Sequence, residues 1–293
     1  MLRCPVCAGT VDLLAPGVGP RVLACGAGHR FDVARQGHVV LLSGGTKLRA
    51  DTADMVAARG RVLGSGAFDA VTDALVTALV PVPEGSREGA DDGSGRDGAG
   101  AGLIVDLGAG PGTYAAALLD ALPHHLGLAL ELSTPALRVA ARTHPRLAAV
   151  GTDLSRSLPL MDAAVDRDGA LVAVFAPLPT ADELRRVTRP GARLVVVTPT
   201  PDHLAALRSR LDLLDVPAGK PDRLSARLGD AWTPAGRTEI ASAVAFTPAQ
   251  AADVVAMGPN AWHADDTRRA ALAALPDHLD DTVAVTVSTF TRT

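Results

Sequence analysis

Aromatic side chains are scarce in this 293-residue chain, at 3%. Cysteines number only three, all before residue 26. An odd count of clustered thiols argues against a disulfide framework and for thiolate ligands. No apolar run reaches the roughly 18–20 residues that a membrane span needs. No basic stretch leading into an apolar one opens the chain, because Cys4 and Cys7 stand there. The expected location is therefore the cytoplasm, with no membrane partner. Positive charge is not in excess either. The 28 basic and 32 acidic side chains leave −4, which excludes an overall basic coat.

What remains is 47% hydrophobic with a mean hydropathy of +0.21. Such a chain is long enough to bury its own core and is not broadly disordered. Its charge is uneven. Residues 1–61 carry eight basic side chains (Arg3, Arg21, Arg30, Arg35, Lys47, Arg49, Arg59, Arg61) against Asp12, Asp32, Asp51 and Asp54. That is +4 locally and −8 for the rest, so an anionic partner is expected on the N-terminal side.

Short extended pieces broken by turns fill residues 1–42. Val11–Leu14 and Arg21–Ala24 flank Pro16-Gly17-Val18-Gly19-Pro20, a hairpin signal. Val39–Leu42 reads as one more strand. Helices are predicted from Ala53 to about Leu63 and from Phe68 to Val80. Residues 83–102 are Gly-rich, polar and aperiodic, and read as a flexible loop. From residue 103 apolar strands alternate with helical stretches, which predicts an α/β fold with a mostly parallel sheet. Two late strands, near Glu239–Phe246 and Thr282–Phe290, are expected to add an antiparallel edge. The expected organisation is a zinc-binding module (1–45), a helical connector (46–82), the loop (83–102) and the main domain (103–293).

Within that domain, Leu103-Ile104-Val105-Asp106-Leu107-Gly108-Ala109-Gly110-Pro111-Gly112 places a strand before a glycine turn and a helix start. Glycines let a ligand approach the backbone. The spacing is G-x-G-x-G, unlike the G-x-G-x-x-G of a nicotinamide site. Asp106 at the strand end would repel a pyrophosphate but suits a cationic amino-acid group. Glu131 closes the next strand, about 20 residues past the loop, where an acid accepts ribose hydroxyls. Asp153 closes the third and can accept from an adenine amino group. This succession is the pattern of a Rossmann-like class I methyltransferase that uses S-adenosylmethionine (SAM).

Cys4-x2-Cys7 and Cys25-x3-His29 supply three thiolates and an imidazole from two tight turns. That set suits one tetrahedral structural Zn2+ per chain in a small ribbon-like module. His38 is a weaker rival for the fourth place.

Taken together, these residues resemble the RlmA family of 23S rRNA guanine-N1 methyltransferases, within it the macrolide (tylosin) resistance branch. The likeness runs through Cys4-Pro5-x-Cys7, Cys25…His29-Arg30-Phe31-Asp32 and Ala34-Arg35-Gln36-Gly37-His38-Val39-Val40-Leu41-Leu42. It continues through Asp54-Met55, Ala58-Arg59, the glycine loop, Phe175-Ala176-Pro177, Arg189-Pro190-Gly191, Thr198-Pro199, His203-Leu204 and Met257-x-Pro259-x-Ala261-Trp262. The resemblance implies zinc on Cys4, Cys7, Cys25 and His29. It implies SAM against Phe68, Gly110, Pro111 and His203, beside Asp106, Gly108, Gly112, Glu131 and Asp153. It also implies a homodimer whose zinc modules form a cleft for an rRNA hairpin loop. The chain departs from the family with Phe at 68 and 175, and His at 38, where the family has Tyr.

A methyl group would then pass to guanine N1, with Phe175 near the base. Arg30, Arg35, Lys47, Arg49, Arg59 and Arg61 would hold phosphates. The base that takes the N1 proton is open between Asp202, His203 and water. A methyltransferase acting on a small natural product, or a SAM-binding regulator without turnover, remains the alternative.

Overall fold

The computed structural model describes residues 1–14, 21–42, 49–80, 101–258, 260–261 and 266–293. The predicted turn at 16–20, Lys47, nearly all of the Gly-rich loop, Pro259 and Trp262 lie outside these.

The N-terminal residues form an antiparallel sheet of β1 (Leu2–Arg3), β2 (Thr10–Leu13), β3 (Val22–Cys25) and β4 (Arg30–Asp32). Its own core is small: buried Cys4, Val11 and Cys25, with half-buried Leu2, Leu23 and Phe31 packed on them. The expected strand at Val39–Leu42 is shorter, β5 (Val39–Val40), and leaves the small sheet. It pairs in parallel with the edge of the large one, Val39 opposite Val150 and Val40 opposite Gly151. The N-terminus is also tied down by Arg3 N–H to the Pro159 carbonyl (3.0 Å) and Met161 N–H to the Met1 carbonyl (3.0 Å).

Two helices follow, α1 (Ala53–Gly64) and α2 (Asp69–Leu79). Thr52 Oγ1 accepts from Met55 N–H and starts α1, a cap worth about 1 kcal/mol. The main domain then alternates β6 (Leu103–Leu107), α3 (Thr113–Ala121), β7 (Leu126–Glu131), α4 (Thr134–Thr143), β8 (Leu147–Gly151), β9 (Ala170–Val174), α5 (Ala181–Val187) and β10 (Arg193–Pro199). It ends with α6 (Ala205–Leu211), α7 (Lys220–Leu228), β11 (Trp232–Phe246), α8 (Pro248–Ala256), α9 (Asp266–Ala273) and β12 (Leu279–Arg292).

The large sheet runs β11-β12-β10-β9-β6-β7-β8-β5. Strands β10 through β5 are mutually parallel, and β12 is antiparallel to both neighbours. The antiparallel strand therefore lies one place inside the edge, and β11 forms the rim. Every residue of β6 and β9 is buried, as a sheet covered on both faces requires. Alternation sends Ile104 and Val172 to the side of Val71 and Leu75 of α2, and Val105 and Leu171 to the side of Leu184 and Val187 of α5. Helix α7 was not anticipated, because only Leu224 and Leu228 of its nine residues are buried. Helix α6 is short, bounded by left-handed Leu204 (φ 53°) and Asp212 (φ 48°).

Candidate functional site

At the carboxyl end of β6 the chain makes three left-handed turns, at Gly108 (φ 74°), Gly110 (φ 53°) and Gly112 (φ 80°). A Cβ on Gly108 would stand 2.6 Å from that of Ala176, which follows β9. The loop is thus pressed against the next strand end, where only hydrogen fits. Gly108→Ala is expected to cost about 2–4 kcal/mol, from the left-handed backbone and the overlap. A fall in the urea midpoint measures it.

Asp106 is 2% exposed and its Oδ2 has no hydrogen-bond partner. Burial, then the nearby Glu131 charge, pushes its pKa up to about 7, against a hydrogen bond from the Ala115 N–H. Glu131 faces the loop. Its Oε2 accepts from Gly110 N–H (2.8 Å), and its Oε1 accepts from the N–H groups of Leu132 (2.7 Å) and Ser133 (2.8 Å). Asp153 is buried too. Its Oδ1 accepts from Ser155 N–H (2.9 Å) and Oγ (2.6 Å), and Arg156 Nε lies 3.5 Å from Oδ2. Pro111 lies between Gly110 and Gly112, and its carbonyl accepts from Thr143 Oγ1 (2.8 Å).

Three rings gather beside the loop. Phe68, at the start of α2, is buried. Phe175, just past β9, is 41% exposed and sits at φ 55°, a conformation costly for a non-glycine residue. Centroids lie 6.2 Å apart for Phe68 and Phe175, 6.0 Å for Phe68 and His203, and 5.4 Å for Phe175 and His203. His203 Nδ1 accepts from Ala284 N–H (3.2 Å), so the ring proton resides on Nε2. Burial pushes the His203 pKa down to about 4. At neutral pH the ring is therefore an uncharged donor through Nε2. Its accepting nitrogen, Nδ1, is filled by the Ala284 N–H.

The sulfur and ring-nitrogen donors of Cys4, Cys7, Cys25 and His29 all lie within 4.8 Å of one another. Cys7 Sγ is 3.5 Å from Cys25 Sγ, and His29 Nδ1 is 3.3 Å from Cys25 Sγ and 3.7 Å from Cys4 Sγ. Tetrahedral zinc with bonds of about 2.0–2.3 Å requires ligand separations of about 3.3–3.8 Å. The donor set therefore fits that metal. Burial opposes the Cys25 thiolate, yet hydrogen bonds from the His29 side chain and backbone outweigh it and bring the pKa to about 6. His38 is buried away from this cluster.

The basic residues of the first 61 separate. Arg30 and Arg35 are exposed on the N-terminal module, and Arg49 is exposed before α1. Arg61 forms a bidentate pair with Asp253 of α8 (2.8 and 2.5 Å). Arg59 is drawn inward, its Nη1 2.5 Å from Asp51 Oδ2 and its Nη2 2.6 Å from the Met257 carbonyl. Its place over Gly110 was not foreseen, because no local pattern distinguishes one helix arginine from the next.

No family model matches the chain. Over 291 residues it is 45% identical to a protein of Micromonospora griseorubida provisionally named a 23S rRNA (guanine-N(1)-)-methyltransferase, covering 99% of this chain and 96% of that one. Over 289 residues it is 40% identical to a Streptomyces fradiae 23S rRNA (guanine(748)-N(1))-methyltransferase, covering 97% and 94%. A chain from a solved complex between the Haloferax volcanii Trm112 methyltransferase activator and a methyltransferase superposes with a TM-score of 0.50. It is 20% identical, over 84% of this chain and 99% of that one. The shared architecture is the class I SAM-dependent methyltransferase fold.

Proposed function

Because this chain belongs to the family of 23S rRNA (guanine-N1)-methyltransferases, we propose that it methylates N1 of a guanine in a hairpin loop of 23S rRNA and so confers resistance to tylosin-type macrolides. One observation carries this reading. An exposed, backbone-strained aromatic ring, Phe175, is held against Phe68 and His203, and its neighbour Ala176 abuts the glycine loop. A ring there offers a stacking face to a splayed base.

SAM, which the fold implies, supplies a methyl group on a sulfonium that leaves without acid assistance. The residues present fit it. Asp106 offers a buried, unpartnered carboxylate oxygen to an ammonium, and Gly108 lets the turn close tightly against Ala176. Gly110, Pro111 and Gly112 shape the rest of the loop. Glu131 and Asp153 would serve as the acids for ribose and adenine, and Phe68 and His203, gathered with Phe175, would add apolar contact. The task of the chain is orientation at near-attack distance. The uncharged His203 donates through Nε2. Arg30, Arg35 and Arg49 face solvent and suit RNA phosphates. Lys47 belongs to the same proposal. Zinc on Cys4, Cys7, Cys25 and His29 would hold the N-terminal sheet, and two chains would pair so that these modules flank the hairpin. Among the described residues no single helix is long and apolar enough to cross a membrane; modification of ribosomal RNA would be carried out in the cytoplasm.

Incubation with tritiated SAM and unmodified large-subunit rRNA tests the reading. Label in one loop guanine, with a primer-extension stop there, is expected. Label confined to small molecules would support the natural-product alternative, and no label would support a regulator. Phe175→Gly gives a sharper version. It relieves a left-handed backbone strain of about 1–2 kcal/mol while losing the half-buried ring's contacts, which are of similar size, so the melting temperature is expected to change by only a few degrees while transfer to RNA falls at least tenfold. Unchanged transfer would remove Phe175 from the base site.

A further inference from the structure

The sequence grouped Arg59 with the phosphate-binding arginines, but its surroundings are those of the glycine loop. A Cβ built on Gly110 would meet Arg59 Nη1 at 3.1 Å, so the guanidinium lies directly over the turn. It is held from two sides, by Asp51 before α1 and by the Met257 carbonyl after α8. Asp51 is itself located by Ser133 Oγ, which donates to its carbonyl (2.7 Å), so the strand ends and α1 share one anchor. The Arg59 side chain is 26% exposed. Two of its five N–H groups are used by these partners, which leaves three N–H donors without a partner among the described residues. Asp106 stands on β6, at the strand end that runs into this turn, so a cation and a buried carboxylate both border the glycine loop. A free α-amino acid carries one carboxylate and one ammonium. Asp106 suits the ammonium, and the planar fork of Arg59 suits the carboxylate.

We propose that Arg59 binds the α-carboxylate of the methyl donor, and that α1 is thereby a specificity element of the cofactor site and no part of the RNA surface. This rests on the SAM reading above. Asp51 and Met257 preorganise the guanidinium, so the donor meets a fork already oriented. The amino-acid end of the donor then discriminates against adenosine compounds that lack a carboxylate.

Calorimetry on the full chain tests the assignment with two titrants, SAM and decarboxylated SAM, which keeps the sulfonium and the ammonium but lacks the carboxylate. The native protein is expected to prefer SAM by about 10- to 100-fold. Arg59→Ala is expected to lose that preference, weakening SAM alone and leaving decarboxylated SAM within about twofold. Arg59→Lys, which keeps the charge and loses the fork, is expected to recover part of it. Affinity for an rRNA hairpin, and its salt slope, are expected to stay unchanged in Arg59→Ala. Equal weakening of both titrants would make Arg59 merely a brace for α1 and overturn the proposal, as would a fall in RNA affinity with SAM unaffected. Binding of neither titrant by the native protein would instead sink the SAM reading itself.

Discussion

Cys25→Ser is expected to drop bound zinc from about one equivalent per chain to near zero and to unfold the N-terminal sheet while the large sheet stands. The reason is the size of the core. Among the described residues only Cys4, Val11 and Cys25 are buried there, and two of those three belong to the candidate metal cluster. Metal binding contributes on the order of 10–16 kcal/mol to small modules of this kind, far more than three apolar side chains supply. The consequence reaches beyond the module. Once residues 2–32 unfold, the bonds of Met1 and Arg3 to Met161 and Pro159 go, and β5 loses the support that holds it on the β8 edge. Methylation of rRNA is expected to fall more than 100-fold. SAM affinity is expected to change by less than about threefold, because the glycine loop lies on β6. Zinc by atomic emission, hydrogen exchange over β1–β4 and calorimetry with SAM measure the three parts. Native protection of β1–β4 in a metal-free Cys25→Ser protein would show that packing holds the module.

The second large effect concerns Asp106. With its pKa near 7, the free protein holds a proton there at pH 6. An ammonium placed beside the carboxylate favours the anion, so binding releases that proton. SAM affinity is expected to rise by up to tenfold per pH unit from about pH 5.5 and to level off above 7. His203 titrates near 4, below this window, and does not contribute to the slope. Free-protein stability carries the matching sign. The folded pKa lies above the unfolded value of about 3.9. The stability that Asp106 contributes is therefore complete below that value and is lost as pH rises through about 7. Asp106→Asn is expected to flatten both profiles and to weaken SAM at pH 8 by about 10- to 100-fold. Calorimetry in buffers of different ionisation enthalpy counts the proton released. A flat native affinity across this range would mean that the buried carboxylate does not meet the ammonium.

Much of this architecture was written locally. The alternation of strands and helices expected from residue 103 onward is present, because the five parallel strands β6 to β10 are continuous apolar runs bounded by turn residues. The ligand spacing of Cys4, Cys7, Cys25 and His29 was legible for the same reason, since each knuckle is a tight turn that brings its own pair together. The family resemblance set Phe68 and His203 on one cofactor, yet nothing local in the sequence joined them to Phe175 or to each other. They come from α2, the end of β9 and the end of β10, and only the packing of α2 on the sheet brings them within 6.2 Å.

The amino-acid order by itself determined which segments of the main domain are strands, that the glycine loop turns tightly, and which residue types can hold a metal. The folded structure decided which strand runs against its neighbours, and that β5 joins the large sheet. It also decided that Arg61 spends its charge on Asp253 while Arg59 turns toward Gly110. The division has one physical cause. Turns, runs and knuckles are set by energies within a few residues, whereas a charge acquires its role from partners close in space, and the carboxylate that pairs with Arg61 lies 192 residues away along the chain.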